Sequence, residues 1–156
     1  MPTIAEICDA VDTALGEALV TSGDLTISQN YDELTEGMND IGVLQIYPES
    51  GRLTDSLSGQ GQTQQMTFGV DGLIQEEITI HADYYATSRA NIGDDMAVLI
   101  PGIEAIRAKI KEQKCPPFGL TGIRTFQWSW ERTVWEYGQP ELKYIGARFI
   151  LRMRLF

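Results

Sequence analysis

The sequence predicts an α+β fold in which a mostly antiparallel sheet of five to six strands carries two principal helices. Residues 74–85 alternate between apolar and polar side chains, which is typical of a half-buried strand. Residues 92–110 place apolar side chains three and four positions apart, which is typical of an amphipathic helix. Two further alternating runs surround Gly138-Gln139-Pro140 and predict a closing hairpin. A chain of 156 residues is long enough for a sizeable core, so we expect one domain over residues 1–156.

The first helix is predicted over residues 3–20. Thr3 and Glu6 have the spacing of a capping box, in which each side chain accepts a hydrogen bond from the other residue's backbone amide. Ser22-Gly23 is expected to end the helix. Its apolar stripe consists of Ile4, Ile7, Cys8, Val11, Leu15 and Leu19. The acidic residues lie off this stripe, so the helix is amphipathic and Cys8 is interpreted as a small buried hydrophobe.

Two short strands are predicted next, at residues 25–28 and 42–47, with an acidic loop at 31–40 between them. The second strand is expected to stop at Pro48, because proline cannot donate a hydrogen bond to a sheet.

Residues 49–65 are rich in Ser, Gly, Gln and Thr, and only Leu53 and Leu57 are apolar. Such a segment buries too little apolar surface to order itself. The sequence therefore predicts a flexible loop at about 49–65, or an arm that becomes ordered against a partner. A strand at 65–70 and an Asp71-Gly72 turn are expected to lead into the strand at 74–85.

The strand at 74–85 divides its residues between an apolar and a polar face, with Glu76 as an exception on the apolar face. The apolar face carries Ile74, Ile78, Ile80, Ala82 and Tyr84, and the polar face carries Gln75, Glu77, Thr79, His81, Asp83 and Tyr85. The polar face is interpreted as solvated.

The second principal helix is interrupted by Pro101-Gly102 and ends before Pro116-Pro117. Proline inside a helix costs about 3 kcal/mol and removes a hydrogen bond, so we expect a kink or two abutting segments. The apolar stripe consists of Ile92, Met96, Leu99, Ile103, Ile106 and Ile110.

The second strand of the closing hairpin has one set of apolar residues and one set of residues that includes arginines, on opposite faces. The apolar set, Ile145, Ala147, Phe149, Leu151, Met153 and Leu155, is interpreted as core. The other set contains Arg148, Arg152 and Arg154, which must find solvent, acidic partners within the fold or another subunit.

Charge is distributed unevenly along the chain. Residues 1–106 carry eighteen acidic and two basic side chains, whereas residues 107–156 carry four acidic and ten basic ones. The two parts either neutralise each other within the fold or form a bipolar surface through which copies associate. With a net charge of −10, non-specific binding to nucleic acid is disfavoured.

No defensible catalytic or metal-binding signature is present. Glu77, His81 and Asp83 share a strand face, but His81 is the only histidine, so a site with two imidazoles cannot form within one copy. No Gly-x-Ser-x-Gly elbow or phosphate-binding Gly-Lys-Ser/Thr loop occurs. We therefore predict no enzyme activity, metal or cofactor.

The strand that contains Phe126, Trp128 and Trp130 interleaves these aromatic residues with Arg124 and Arg132. Single-stranded nucleic acid can stack on such a platform. Core packing is the favoured interpretation, because three aromatic residues share one strand face and the chain is acidic.

The layout resembles the tail terminator (tail completion) proteins of long-tailed bacteriophages. The similar features are the amphipathic first helix, the strand that ends in Leu44-Gln45-Ile46-Tyr47-Pro48-Glu49 with a long loop after it, the strand-turn-helix at 78–110, and the hairpin from Trp135-Glu136-Tyr137-Gly138 to Tyr144-Ile145-Gly146-Ala147-Arg148-Phe149. The resemblance is one of element order and involves no catalytic residue.

The resemblance implies a virion protein that forms a homo-oligomeric ring, commonly a hexamer, at the head-proximal end of the tail after assembly in the host cytoplasm. Its partners would be the tail tube protein and a head-completion or connector protein. DNA would pass through the lumen without specific binding, since six copies carry about −60 in formal charge.

Three alternatives for the function are distinguished. A tail terminator caps the tail tube, ends its growth and joins tail to head. A head–tail connector or neck protein would share the ring. A small soluble ligand-binding or enzymatic α+β domain belongs to a different class. For a ring we expect the subunit interface to include Arg148, Arg152, Arg154, Arg52, Leu53 and Leu57.

Overall fold

A computed structural model describes residues 2–34, 42–55, 74–88, 92–114, 116–136 and 143–155. Within them the strands form one five-stranded sheet in the order β1-β2-β3-β5-β4. The strands are β1 (Ile27–Gln29), β2 (Val43–Asp55), β3 (Ile74–Ser88), β4 (Ile123–Glu136) and β5 (Lys143–Leu155). β1 pairs with β2 in parallel and every other pair is antiparallel. The predicted α+β fold with a mostly antiparallel sheet is confirmed.

The first helix is divided into α1 (Ile4–Val11), a π-helical segment (Asp12–Glu17) and α2 (Ala18–Ser22). Both hydrogen bonds of the predicted capping box between Thr3 and Glu6 are present. Gly23 ends α2 with a φ of +88°, a left-handed conformation that glycine adopts without strain. The predicted stripe is buried from Ile7 to Leu19, but Ile4 is 47% exposed.

The π-helical segment brings the first helix into close contact with β1. A side chain at Gly16 would place its Cβ atom 1.8 Å from the Ser28 hydroxyl oxygen, so glycine is required at this approach. Asp12 accepts a hydrogen bond from the same hydroxyl. The π-helical segment contains one more residue per turn than an α-helix, and this accommodates the close packing. The regular spacing of the apolar stripe in the sequence does not indicate this extra residue.

The core lies between one face of the sheet and the helices. The second principal helix, α3 (Ile92–Lys111), buries four members of its predicted stripe against β3 and β5. These members are Leu99, Ile103, Ile106 and Ile110. The apolar set of β5 is buried completely or nearly so, as predicted.

α3 is one helix from Ile92 to Lys111 and contains Pro101. Of the two expected outcomes, the division into two abutting segments is wrong, and the kink stays a prediction. Pro101 is exposed. The next residue, Gly102, faces Tyr84, whose hydroxyl oxygen lies 2.1 Å from the position a Cβ atom would take. A larger residue at position 102 would therefore require the Tyr84 side chain to move.

β2 continues beyond Pro48 to Asp55, so the predicted end of this strand is wrong. A bulge between Pro48 and Ser50 shifts the register against β3. β1 pairs only as far as Gln45, so in the described chain β2 has an open outer edge at Pro48, and proline is tolerated at edges and bulges.

The predicted flexible loop at 49–65 is also shortened, because residues 49–55 belong to β2. Residues 56–65, the strand expected at 65–70 and the Asp71-Gly72 turn lie outside the described residues.

β4 is an edge strand that the helices cover incompletely. Phe126 and Trp128 pack partly against the core, as the sequence analysis favoured. The core interpretation is wrong for Trp130, which is 44% exposed, and Val134 on the same strand is 38% exposed.

Candidate functional site

The candidate site lies on the sheet face opposite the core, which we call the helix-free face because no described helix packs against it. Strand alternation places the polar residues of β3 on this face, and the strand register aligns them with residues of the neighbouring strands. The aligned rows are Arg52–Glu77–Arg154–Thr125, Ser50–Thr79–Arg152–Gln127, Tyr47–His81–Ile150–Ser129 and Gln45–Asp83–Arg148–Glu131.

Asp83 is the centre of a buried network and is only 1% exposed. The Arg148 Nε atom donates to Asp83 Oδ1 at 2.9 Å, and Arg148 Nη2 donates to Asp83 Oδ2 at 3.2 Å. The Tyr47 hydroxyl donates to Asp83 Oδ2 at 2.6 Å. The two-pronged contact of the guanidinium with the carboxylate is the strong geometry for such a pair.

The network keeps Tyr47 and Arg148 protonated. Burial, reinforced by the hydrogen bond to Asp83, raises the pKa of Tyr47 well above its ordinary range, so the hydroxyl keeps its proton. The hydrogen bonds to Asp83 raise the pKa of Arg148 above its ordinary value, so the guanidinium stays charged. Tyr47 is therefore poorly suited to act as a nucleophile or base.

His81 lies beside this network. Its ring meets the Tyr47 ring edge to face with a centroid distance of 5.6 Å, and its Nδ1 atom is 3.6 Å from Glu49 Oε2. Burial is the main reason why the pKa of His81 is lowered from its ordinary value. The imidazole is consequently neutral at pH 7.

The interpretation of the polar face of β3 as solvated is wrong for His81, Asp83 and Tyr85, which are 8%, 1% and 0% exposed. Asp83 is buried because Arg148 and Tyr47 reach it from strands far away in the chain. Among the described residues, no three His, Cys, Asp or Glu side chains are grouped to hold a metal ion.

A cleft of about 450 Å³ lies on the same face and is lined by Arg52, Arg152 and Arg154, with Glu77 between them. We call it the arginine cleft. Glu77 Oε1 is 3.2 Å from Arg52 Nη2, and Glu77 Oε2 is 3.3 Å from Arg154 Nε. Its remaining polar lining is formed by Ser50, Thr79, Thr125 and Gln127.

The arginine cleft retains positive charge and hydrogen-bond donors that no other described residue uses. Glu77 neutralises one of the three guanidinium groups, which leaves a formal charge of +2. The side chains of Arg52 and Arg154 are 44% and 50% exposed. Arg152 is exposed and makes no side-chain hydrogen bond or ion pair with any described residue. Guanidinium groups in this state are suited to bind carboxylate or phosphate oxygens.

The structure brings together three of the six residues expected at a subunit interface, namely Arg52, Arg152 and Arg154. Arg148 lies apart from them, because its guanidinium is bound to Asp83. Arg148 thus has a partner inside the subunit, and its expected part in contacts between subunits stays a prediction. Leu53 pairs with Glu76 within β2 and β3, and Leu57 lies outside the described residues.

Sequence reasoning missed the importance of Asp83, Glu77 and Tyr47. A signal was present for Asp83, since it is the only carboxylate in the otherwise uncharged run from His81 to Ala86. Charged residues are buried only when they are paired. No comparable signal marks Glu77, because the bulge at Pro48 decides that Arg52 faces it.

No protein-family model and no curated protein matches this sequence. None of the described helices combines the length and hydrophobicity needed to cross a lipid bilayer.

Proposed function

We propose that this protein is a structural virion component that assembles into a ring, caps the tail tube of a long-tailed bacteriophage, ends tube growth and joins tail to head. The resemblance in element order motivates this proposal. The single observation that supports it most is the arginine cleft, an open basic surface with an arginine that has no partner among the described residues.

Ring formation requires a contact between two different patches of each subunit. The arginine cleft supplies a basic patch, to which β5 contributes Arg152 and Arg154 and β2 contributes Arg52. The acidic patch would come from the first two-thirds of the chain, which carries a net charge of −16. Complementary patches of this kind guide association and define its register.

The test is electron microscopy of the purified protein, alone and mixed with tail tubes. We expect rings docked on tube ends. Rings that bind only to heads would indicate a connector or neck protein instead. Monomers that neither assemble nor bind to tail tubes would contradict the proposal and support a ligand-binding domain.

The role of the arginine cleft is tested with the Arg152→Glu variant. Arg152 has no partner within the described subunit, so the monomer should fold normally while ring formation falls by about tenfold or more. Arg132→Glu is the matched control, because Arg132 is also exposed and also lacks a described partner, but lies on β4 outside the cleft. If Arg152→Glu and Arg132→Glu formed rings to the same extent, the arginine cleft would not be part of the interface.

A further inference from the structure

We propose that the arginine cleft of one subunit receives the carboxylates of Asp32 and Glu33 from a neighbouring copy of the chain. This inference rests on the proposed ring and names the contact that closes it.

Most described carboxylates already have partners within the subunit. Asp9 accepts from Asn30, Asp12 from Ser28 and Asp24 from Ser22. Glu104 and Glu112 pair with Arg107 and Lys109 on α3. These groups would have to give up an existing interaction to reach another copy.

Five described acidic side chains make no hydrogen bond or ion pair with a described residue. They are Glu17, Asp32, Glu33, Glu76 and Glu131. Only Asp32 and Glu33 are adjacent. Both are exposed in a turn directly after β1. Their combined charge of −2 matches the +2 that remains in the arginine cleft.

The residues on either side of this carboxylate pair also favour a contact. Tyr31 and Leu34, which flank the two charges, are both 40% exposed. Inserting the turn into a partner would remove apolar surface from water in addition to forming ion pairs. The cleft volume of about 450 Å³ lies in the range of sites that hold a small ligand.

The geometry of this contact is consistent with a closed ring. The acidic turn follows β1, at one edge of the sheet, whereas the arginine cleft spans the rows of β2, β3, β5 and β4. The acidic turn and the arginine cleft are different patches, and each copy carries both. The contact between copies is therefore head to tail.

A charge swap within one chain tests the pairing. Arg152→Glu and Glu33→Arg should each reduce ring formation by about tenfold, because each places like charges at the contact. The double variant, Arg152→Glu with Glu33→Arg, restores opposite charges at every contact of a homo-oligomer and should recover rings. The combination of Arg132→Glu with Glu33→Arg is the matched control and should remain unassembled.

A direct readout is available through the Arg152→Lys variant, which preserves the charge. Carbodiimide treatment of its rings should link position 152 to Asp32 or Glu33 of another chain, which mass spectrometry of labelled and unlabelled mixtures identifies. Failure of both the rescue and the cross-link, with wild-type rings present, would overturn this pairing and leave the proposed function standing. Absence of wild-type rings with and without tubes would overturn both.

Discussion

The two faces of the sheet are built by the same strands, yet their side chains are stabilised in different ways. The core face buries aliphatic and aromatic side chains against α1, α2 and α3. The helix-free face combines a buried ionic network around Asp83 with the open arginine cleft. Burial on the first face depends mainly on apolar area. The second face also buries a small apolar cluster of Val43, Tyr85 and Tyr144, but the burial of its charged groups depends on specific partners. The comparison separates the buried residues of both faces, which stabilise the fold, from the residues of the arginine cleft, which are available for contacts.

The largest effect is expected on the core face. Phe149 is completely buried, and the Phe149→Ala variant should lose about 3–5 kcal/mol of unfolding free energy because of lost burial and the cavity left behind. Urea unfolding followed by circular dichroism measures this loss. Ile150→Ala, on the helix-free face of the same strand, is the matched control and should lose less. Equal losses would contradict the difference between the faces.

The Asp83 network should give the next largest effect. Arg148→Met leaves the Asp83 carboxylate buried without its ionic partner, and we expect a loss of about 2–4 kcal/mol. The double variant Arg148→Met with Asp83→Leu removes both charges and should be more stable than Arg148→Met alone. If Arg148→Met were as stable as wild type, the network would contribute nothing to stability.

The arginine cleft should contribute little to the stability of the subunit. Glu77→Gln removes two ion pairs, but the Arg52 and Arg154 side chains are about half exposed, so we expect a loss below about 1 kcal/mol. The difference from wild type should shrink further in 1 M salt, where the screening length is about 3 Å. A loss as large as that of Arg148→Met would place Glu77 among the residues that hold the fold.

The smallest effect is a pH dependence of stability from His81. Its pKa is lower in the folded than in the unfolded protein, so folding favours the neutral ring. This contribution is complete above about pH 6.5, the ordinary histidine pKa, and is lost as the pH falls through the lower folded pKa. His81→Gln should therefore show a smaller drop in melting temperature than wild type between pH 7.5 and 5.5. If the melting temperatures of wild type and His81→Gln fell equally over this pH range, His81 would not be the source of the pH dependence.

Much of the core face could be predicted from periodicity. The stripe at Leu99, Ile103, Ile106 and Ile110 and the apolar set of β5 are buried as their spacing indicated. Such predictions succeed because helix and strand geometry alone decides which residues share a face.

The arrangement of the helix-free face could be predicted only in part. The sequence identified the C-terminal arginines as residues that need partners, but it could not separate Arg148 from Arg152. That separation depends on strand register, since Arg148 aligns with Asp83 and Arg152 aligns with Thr79. Charge alone carries no information about which residue lies opposite.

The sequence by itself determined the α+β class, the capped first helix, the alternating strands and the concentration of acidic and basic residues in different parts of the chain. Local geometry and composition encode all of these features. The tertiary structure decided that β2 continues past Pro48, and the bulge there turns Arg52 toward Glu77. It also decided that residues 65 positions apart, Asp83 and Arg148, form a buried pair. These outcomes depend on register between distant strands, which periodicity within one strand does not specify.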